Sequence, residues 1–132
     1  MSILIPVSPG ELVDKITILR VKAERIGDPK KAANVRKELA LLEDVGRGEL
    51  PDTPKLDQLA AELTKVNARL WDIEEGKRDC ERRQDFGPAF VALARAVYVE
   101  NDRRAEIKRE INTMTHSDIL EEKSYRPYLS GR

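Results

Sequence analysis

The stretch Leu56–Cys80, LDQLAAELTKVNARLWDIEEGKRDC, sets Leu56, Leu59, Leu63, Val66, Leu70 and Ile73 at alternating steps of three and four residues; it skips Lys77 and returns at Cys80. That spacing puts every apolar side chain on one stripe of an α-helix, and a strand would need a period of two. The repeat predicts one long helix from Thr53-Pro54, a cap followed by a proline at the first helical position, to about Arg83. Asp85-Phe86-Gly87-Pro88 then turns the chain into a second long helix that runs to about Asn112, with Phe90, Leu93, Ala94 and Val97 as its apolar stripe.

Working back toward the N-terminus, Gly46–Pro54 holds two glycines and two prolines and is the one candidate linker. Before it, Asp28-Pro29 opens a helix with Val35, Leu39 and Leu42 inward, expected to end before Gly46-Arg47-Gly48. Ser8-Pro9-Gly10-Glu11 opens the first helix as a capping box, and Leu12, Ile16, Leu19, Ala23 and Ile26 form its main stripe. Asp14 and Lys15 read as a solvated edge, whereas Ile18 and Val21 form a second apolar face that calls for a further neighbour, a second subunit being one option. Toward the C-terminus, Ser117 is placed to cap a short turn over Asp118–Lys123. The expected fold is all-α: an antiparallel four-helix bundle, a short hairpin packed on a long one, in a single domain over 1–132. Residues 1–7 and 124–132 are expected to be short extended ends.

Composition agrees with long solvated helices. The chain has 132 residues, 36% charged and 5% aromatic, with 24 basic and 24 acidic side chains. A zero formal charge offers no field to attract nucleic acid or an anionic membrane, so neither is an expected partner. Cys80 is alone, so no intrachain disulfide forms, and no stretch reaches the roughly 20 apolar residues of a membrane span. A cytoplasmic location is the expectation. One histidine, His116, and one cysteine are a poor zinc set, and Gly46-Arg47-Gly48 is no nucleotide loop. No metal and no cofactor is expected.

The chemistry-bearing signal is a change within the last long helix. Its apolar stripe continues at the same spacing as Asn101, Arg104, Lys108 and Asn112. Counting equal steps from the turn brings Asn67 and Trp71 of the preceding helix to the same level. Such a group suits a carboxylate or phosphate, with Arg104 as a bidentate grip, Lys108 as a point charge and Trp71 as an apolar wall. The plainer alternative makes these residues a structural network paired with acids on neighbouring helices.

Asp102, Glu106 and Glu110 form one row of like charge, and Arg104 and Lys108 another, so partners must come from other elements. The tail offers them, Lys123 and Arg126 for the acidic row and Glu121 or Glu122 for the basic one; the equal alternative is that both rows simply face water. Tyr125 and Tyr128 with Pro127 are suited to lying over the bundle and closing a site or to docking on a partner, and equally to a C-terminus that simply packs by two rings. Glu74 and Arg78 make a favourable pair on a face otherwise given to solvent.

Several of these segments, Ser8–Leu19, Asn34–Leu39, Leu70–Glu74, Asn101–Ala105 and Glu121–Tyr125, resemble a bacterial family catalogued as domain of unknown function six-one-six-five. The likeness covers nearly the whole chain. It implies a loose association with surface-polysaccharide and glycosyl-transfer genes and transfers no catalytic residue.

The reading is an accessory or binding protein, homo-oligomeric through helix one, with an anionic-ligand or partner site between helices three and four. The site residues are Asn67, Trp71, Asn101, Arg104, Lys108, Asn112, Lys123 and Tyr125. Two rivals stand beside it. One is a small all-α enzyme acting on an anionic metabolite, similar in style to the helical chorismate mutases; the other is a purely structural adaptor.

Overall fold

A computed structural model describes residues 1–129. Four helices follow one another: α1 (Pro9–Arg25), α2 (Pro29–Glu49), α3 (Pro54–Arg83) and α4 (Pro88–Met114), and no strand occurs among the described residues. All four begin with proline, whose missing N–H falls where no helical acceptor exists. Ser8 Oγ accepts from the Glu11 N–H at 3.1 Å, Asp28 Oδ1 from Lys30 at 2.9 Å and Thr53 Oγ1 from Leu56 at 3.2 Å. α3 ends at Gln84, whose left-handed φ of 53° turns the Asp85 N–H back onto the Cys80 carbonyl at 2.9 Å.

α3 and α4 form the long antiparallel hairpin. α1 lies against both, antiparallel to α4, and α2 packs on α1 and on no other helix. The core sits where these three helices meet. Leu63, Ile107 and Ile111 have no exposed surface, and Leu59 and Val66 keep only 1%. Each such side chain contributes about 1.5–3 kcal/mol by leaving water. Leu12, Val13, Ile16 and Leu19 close the core from α1. Val21 is also buried and Ile18 half-buried, so the second apolar face of α1 is already covered by the chain's own helices.

Three expectations need correction. α2 does not stop before Gly46; it runs through Gly46 and Gly48 to Glu49. Gly46 is buried, and a Cβ there would lie 3.4 Å from Ile16 Cδ1, so the glycine serves close packing of α2 on α1 rather than chain reversal. No helical turn forms over Asp118–Lys123. Ser117 Oγ instead accepts from the Ile119 N–H at 3.1 Å and donates to the Ile119 carbonyl at 2.7 Å, a local turn, after which the chain runs extended. From residue 117 to 129 the chain forms neither helix nor strand; of the expected end 124–132, residues 130–132 lie outside the described residues. Asp14, finally, is no solvated edge: it is fully buried, while Lys15 beside it is exposed.

Candidate functional site

The polar stripe of α4 meets α1, not α3 alone. Arg104 grips Asp14 with two hydrogen bonds, Nε to Oδ1 at 2.9 Å and Nη2 to Oδ2. Asn67 Nδ2 donates to Asp14 Oδ1 at 3.1 Å and to Thr17 Oγ1 at 3.0 Å, and Thr17 Oγ1 donates to the Asp14 carbonyl at 2.9 Å. A fully buried carboxylate is tolerated only when it is paired and hydrogen-bonded in this way. The hydrogen bond from Arg104 to Asp14 raises the guanidinium pKa against the opposing effect of burial.

One turn further along α4, Lys108 sits in a cluster of acids. Its Nζ lies 2.8 Å from Glu11 Oε2, 2.7 Å from Glu121 Oε2 and 4.0 Å from Asp14 Oδ2. Burial works to lower the Lys108 pKa, and hydrogen bonds to Glu11 and Glu121 outweigh it, so the ammonium titrates above its ordinary range. Glu11 thus spends its side chain on Lys108, and only the Ser8 half of the capping box forms. A turn beyond, Asn112 Oδ1 accepts from the Gly10 N–H at 2.7 Å. A Cβ on Gly10 would lie 2.6 Å from the Lys108 carbonyl oxygen, so α1 reaches α4 this closely because residue 10 is glycine.

The extended C-terminal segment crosses α4 above this layer. Glu121 binds Lys108, Lys123 lies 2.6 Å from Asp102, and Glu122 reaches Arg109 at 3.4 Å. Tyr128 packs edge-to-face on Tyr98 with ring centroids 5.4 Å apart. Between this strap and α4 lies a cleft of about 470 Å³ lined by Asn101, Arg104, Ala105, Lys108, Glu121, Glu122, Lys123, Ser124 and Tyr125. Tyr125 is 84% exposed, with the Lys123 ammonium 5.8 Å from its ring centroid.

Of the residues singled out from sequence, the structure gathers Asn101, Arg104, Lys108, Lys123 and Tyr125 around one cleft. Asn67 and Asn112 lie outside that lining and bind α1 to the hairpin. Trp71 is half-buried on α3 and lines no part of the cleft. The site is therefore bounded by α4 and the strap, with α1 beneath, and is not a slot between α3 and α4. Sequence reasoning missed Asp14 and Glu11. The signal for Asp14 was present: it precedes Thr17, Ile18 and Val21 by three, four and seven residues, which places it on the second apolar face of α1.

Among the described residues, no three His, Cys, Asp or Glu side chains converge to hold a metal ion. Cys80 is buried near the end of α3 while His116 follows α4, at the other end of the hairpin. No helix of the described residues is long and apolar enough to cross a membrane. No curated protein and no solved structure matches the chain. A family model does match, over residues 3–131, and the chain belongs to that family of unknown function, DUF6165.

Proposed function

We propose that the protein is a binding protein for a small hydroxylated carboxylate, held under the C-terminal strap with its carboxylate on Lys108 in the place of Glu121. The observation that carries this reading is the environment of Lys108. Its side chain is only 8% exposed, and of its two acids within 3 Å one, Glu11, belongs to a packed helix, while the other, Glu121, stands on the extended strap and is 55% exposed. Glu121, solvated and carried by the strap, is the half of this pair that can be displaced, because a second carboxylate in its place keeps the buried ammonium paired.

Charge balance narrows the ligand. The cations Arg104, Lys108 and Lys123 face the anions Asp14, Glu11, Asp102 and Glu121. These groups carry one excess negative charge; replacing Glu121 by one carboxylate leaves that excess unchanged, whereas a phosphate dianion raises it to two. Asn101, Ser124 and Glu122 supply donors and acceptors for hydroxyls, and Tyr125 an aromatic face; a sugar acid presents those groups together. The same reading accommodates the polysaccharide association that the family resemblance implies. Arg104 is committed to Asp14 and lends the ligand only its outward nitrogen.

The test is calorimetric titration and thermal shift with glucuronate, lactate and their neutral alcohol counterparts. Ligand at about a hundred times its dissociation constant adds about 2.7 kcal/mol of stability. Glu121→Gln removes the internal competitor and is expected to tighten binding, since no carboxylate must then be displaced. Lys108→Gln, checked for folding by circular dichroism, is expected to abolish binding. Failure of both the native protein and Glu121→Gln to bind any carboxylate leaves the strap as a purely structural latch.

A further inference from the structure

We infer that the C-terminal strap is a lid, latched onto α4 by charge, that swings away about Ser117 and opens the groove along that helix. A segment that served only to stabilise the bundle would bury side chains against it, and this one buries none. Every residue from 118 to 129 is exposed, including the apolar Ile119 at 41%, Leu120 at 65% and Leu129 at 47%. The Ser117 N–H donates to the Asn112 carbonyl at 2.9 Å and closes the end of α4; beyond it no backbone-to-backbone hydrogen bond ties the strap to any described residue. A segment with neither buried apolar contacts nor backbone hydrogen bonds belongs to the part of a fold that opens first.

What closes the strap is charge, together with the packing of Tyr128 on Tyr98. Two of its three ion pairs lie at the surface. The Arg109 and Glu122 side chains are 61% and 74% exposed, and those of Lys123 and Asp102 31% and 36%. A pair of that kind changes the ratio of open to closed strap by up to about fivefold, and salt weakens it. The third pair ends on the buried Lys108 ammonium, yet Glu11 stays on that ammonium at 2.8 Å when Glu121 leaves, so opening strands no unpaired charge.

The strap bridges a groove and does not fill it. Beside the cleft of about 470 Å³ lies a second cavity of about 140 Å³, lined by Ala105, Arg109, Asn112, Thr113, Leu120 and Glu121. The two cavities share Ala105 of α4 as floor and Glu121 of the strap as partition. With the strap swung away they become one groove, in which Lys108 and Arg109 are both released from strap glutamates. The lid stands on the strap's own contacts, whereas its role in admitting a ligand rests on the carboxylate reading above: Glu121 must leave Lys108 before another carboxylate can take its place.

Distance measurement by double electron–electron resonance on the full chain tests the lid. Spin labels go on Arg126→Cys of the strap and Lys65→Cys on the exposed face of α3, while Cys80, 2% exposed, stays unlabelled. The expected result is one narrow distribution at about 10 mM salt and a second, broad population at about 0.5 M. Asp102→Asn, at a residue that lines neither cavity, should enlarge that second population by up to about fivefold. A distribution that neither salt nor Asp102→Asn changes, or one already broad at low salt, overturns the lid. Stopped-flow binding of glucuronate then tests its role as a gate: Asp102→Asn should speed association by the factor by which it enlarges the open population, and an unchanged rate overturns the gate. A protein that binds no carboxylate while its strap still opens in salt would refute the ligand reading and leave the lid standing.

Discussion

The base and the tip of the α3–α4 hairpin carry equally apolar repeats and meet different fates. At the base, Leu59, Leu63, Val66, Ile107 and Ile111 are at most 1% exposed. Toward the tip, Phe90, Leu93, Ala94 and Val97 are all only half-buried, and Phe86 and Val91 are 47% and 48% exposed. The difference is the third helix. α1 has 17 residues and its last, Arg25, pairs with Asp72, whereas α3 has 30 and continues to Arg83, a further rise of about 16 Å. Two helices alone shield only the line along which they touch, where Cys80 is still buried, so the repeat widens into a core of several faces only where α1 covers it.

The sharpest way to break this comparison is to loosen the fastening that holds α1 on the base. Arg104→Met leaves the fully buried Asp14 with the Asn67 hydrogen bond and the Lys108 ammonium 4.0 Å away, and is expected to cost about 3 kcal/mol, the low end for a buried pair because Lys108 stays near and Arg104 reaches solvent. Adding Asp14→Leu should recover most of that loss, since the stranded charge is then gone. Denaturant titration of the native protein and the two variants decides it, and an Arg104→Met protein as stable as the native one would separate α1 docking from the ion pair.

Truncations compare base and tip directly. Leu63→Ala is expected to cost about 2–5 kcal/mol, as for other buried leucines. Leu93→Ala, from the same residue type in a half-buried position, should cost about 1 kcal/mol. Equal losses would mean that the tip is covered in solution by something besides α1.

Glycine substitutions probe the same contrast through close approach. Gly10→Ala drives a Cβ onto the α4 backbone and the Asn112 side chain, and is expected to destabilise by about 1–3 kcal/mol. Gly76→Ala meets only the flexible end of Leu93 at 3.0 Å and gains helix propensity, so thermal melting should place it within about 0.5 kcal/mol of the native protein.

The smallest effects are electrostatic. Lys108 has its folded pKa raised, so its contribution is fully present below the unfolded value of about 10.4 and fades only as pH rises through the higher folded value. Glu74 at the tip has its pKa lowered by the hydrogen bond from Arg78, so its contribution is present above about pH 4.3 and is lost as pH falls through the folded value. Glu74→Gln should therefore cost about 0.3 kcal/mol at neutral pH and nothing in acid, read from melting curves across pH.

How much of the site was legible follows the same physics. Asn101, Arg104, Lys108 and Asn112 announced themselves because polar residues continued an apolar stripe, and the like-charge rows pointed to the tail for partners. Glu121 was among the acids so offered, but those of α1 were not legible, since Asp14 and Glu11 lie 90 and 97 residues away from Arg104 and Lys108. Trp71 shares their level along the hairpin and yet lines no part of the cleft, because counting steps along two helices gives height and not direction around the axis.

The amino-acid sequence by itself determined the four helices, their starts at Ser8, Asp28 and Thr53, and the turn at Gln84–Pro88, because caps, prolines and a three-four repeat act between residues a few positions apart. Tertiary structure alone decided that α2 runs through Gly46, that Asp14 is buried and that the strap closes over Lys108. Each of those outcomes depends on which surface arrives from a distant part of the chain, and burial, which sets the cost of a charge or the use of a glycine, exists only once that surface is in place.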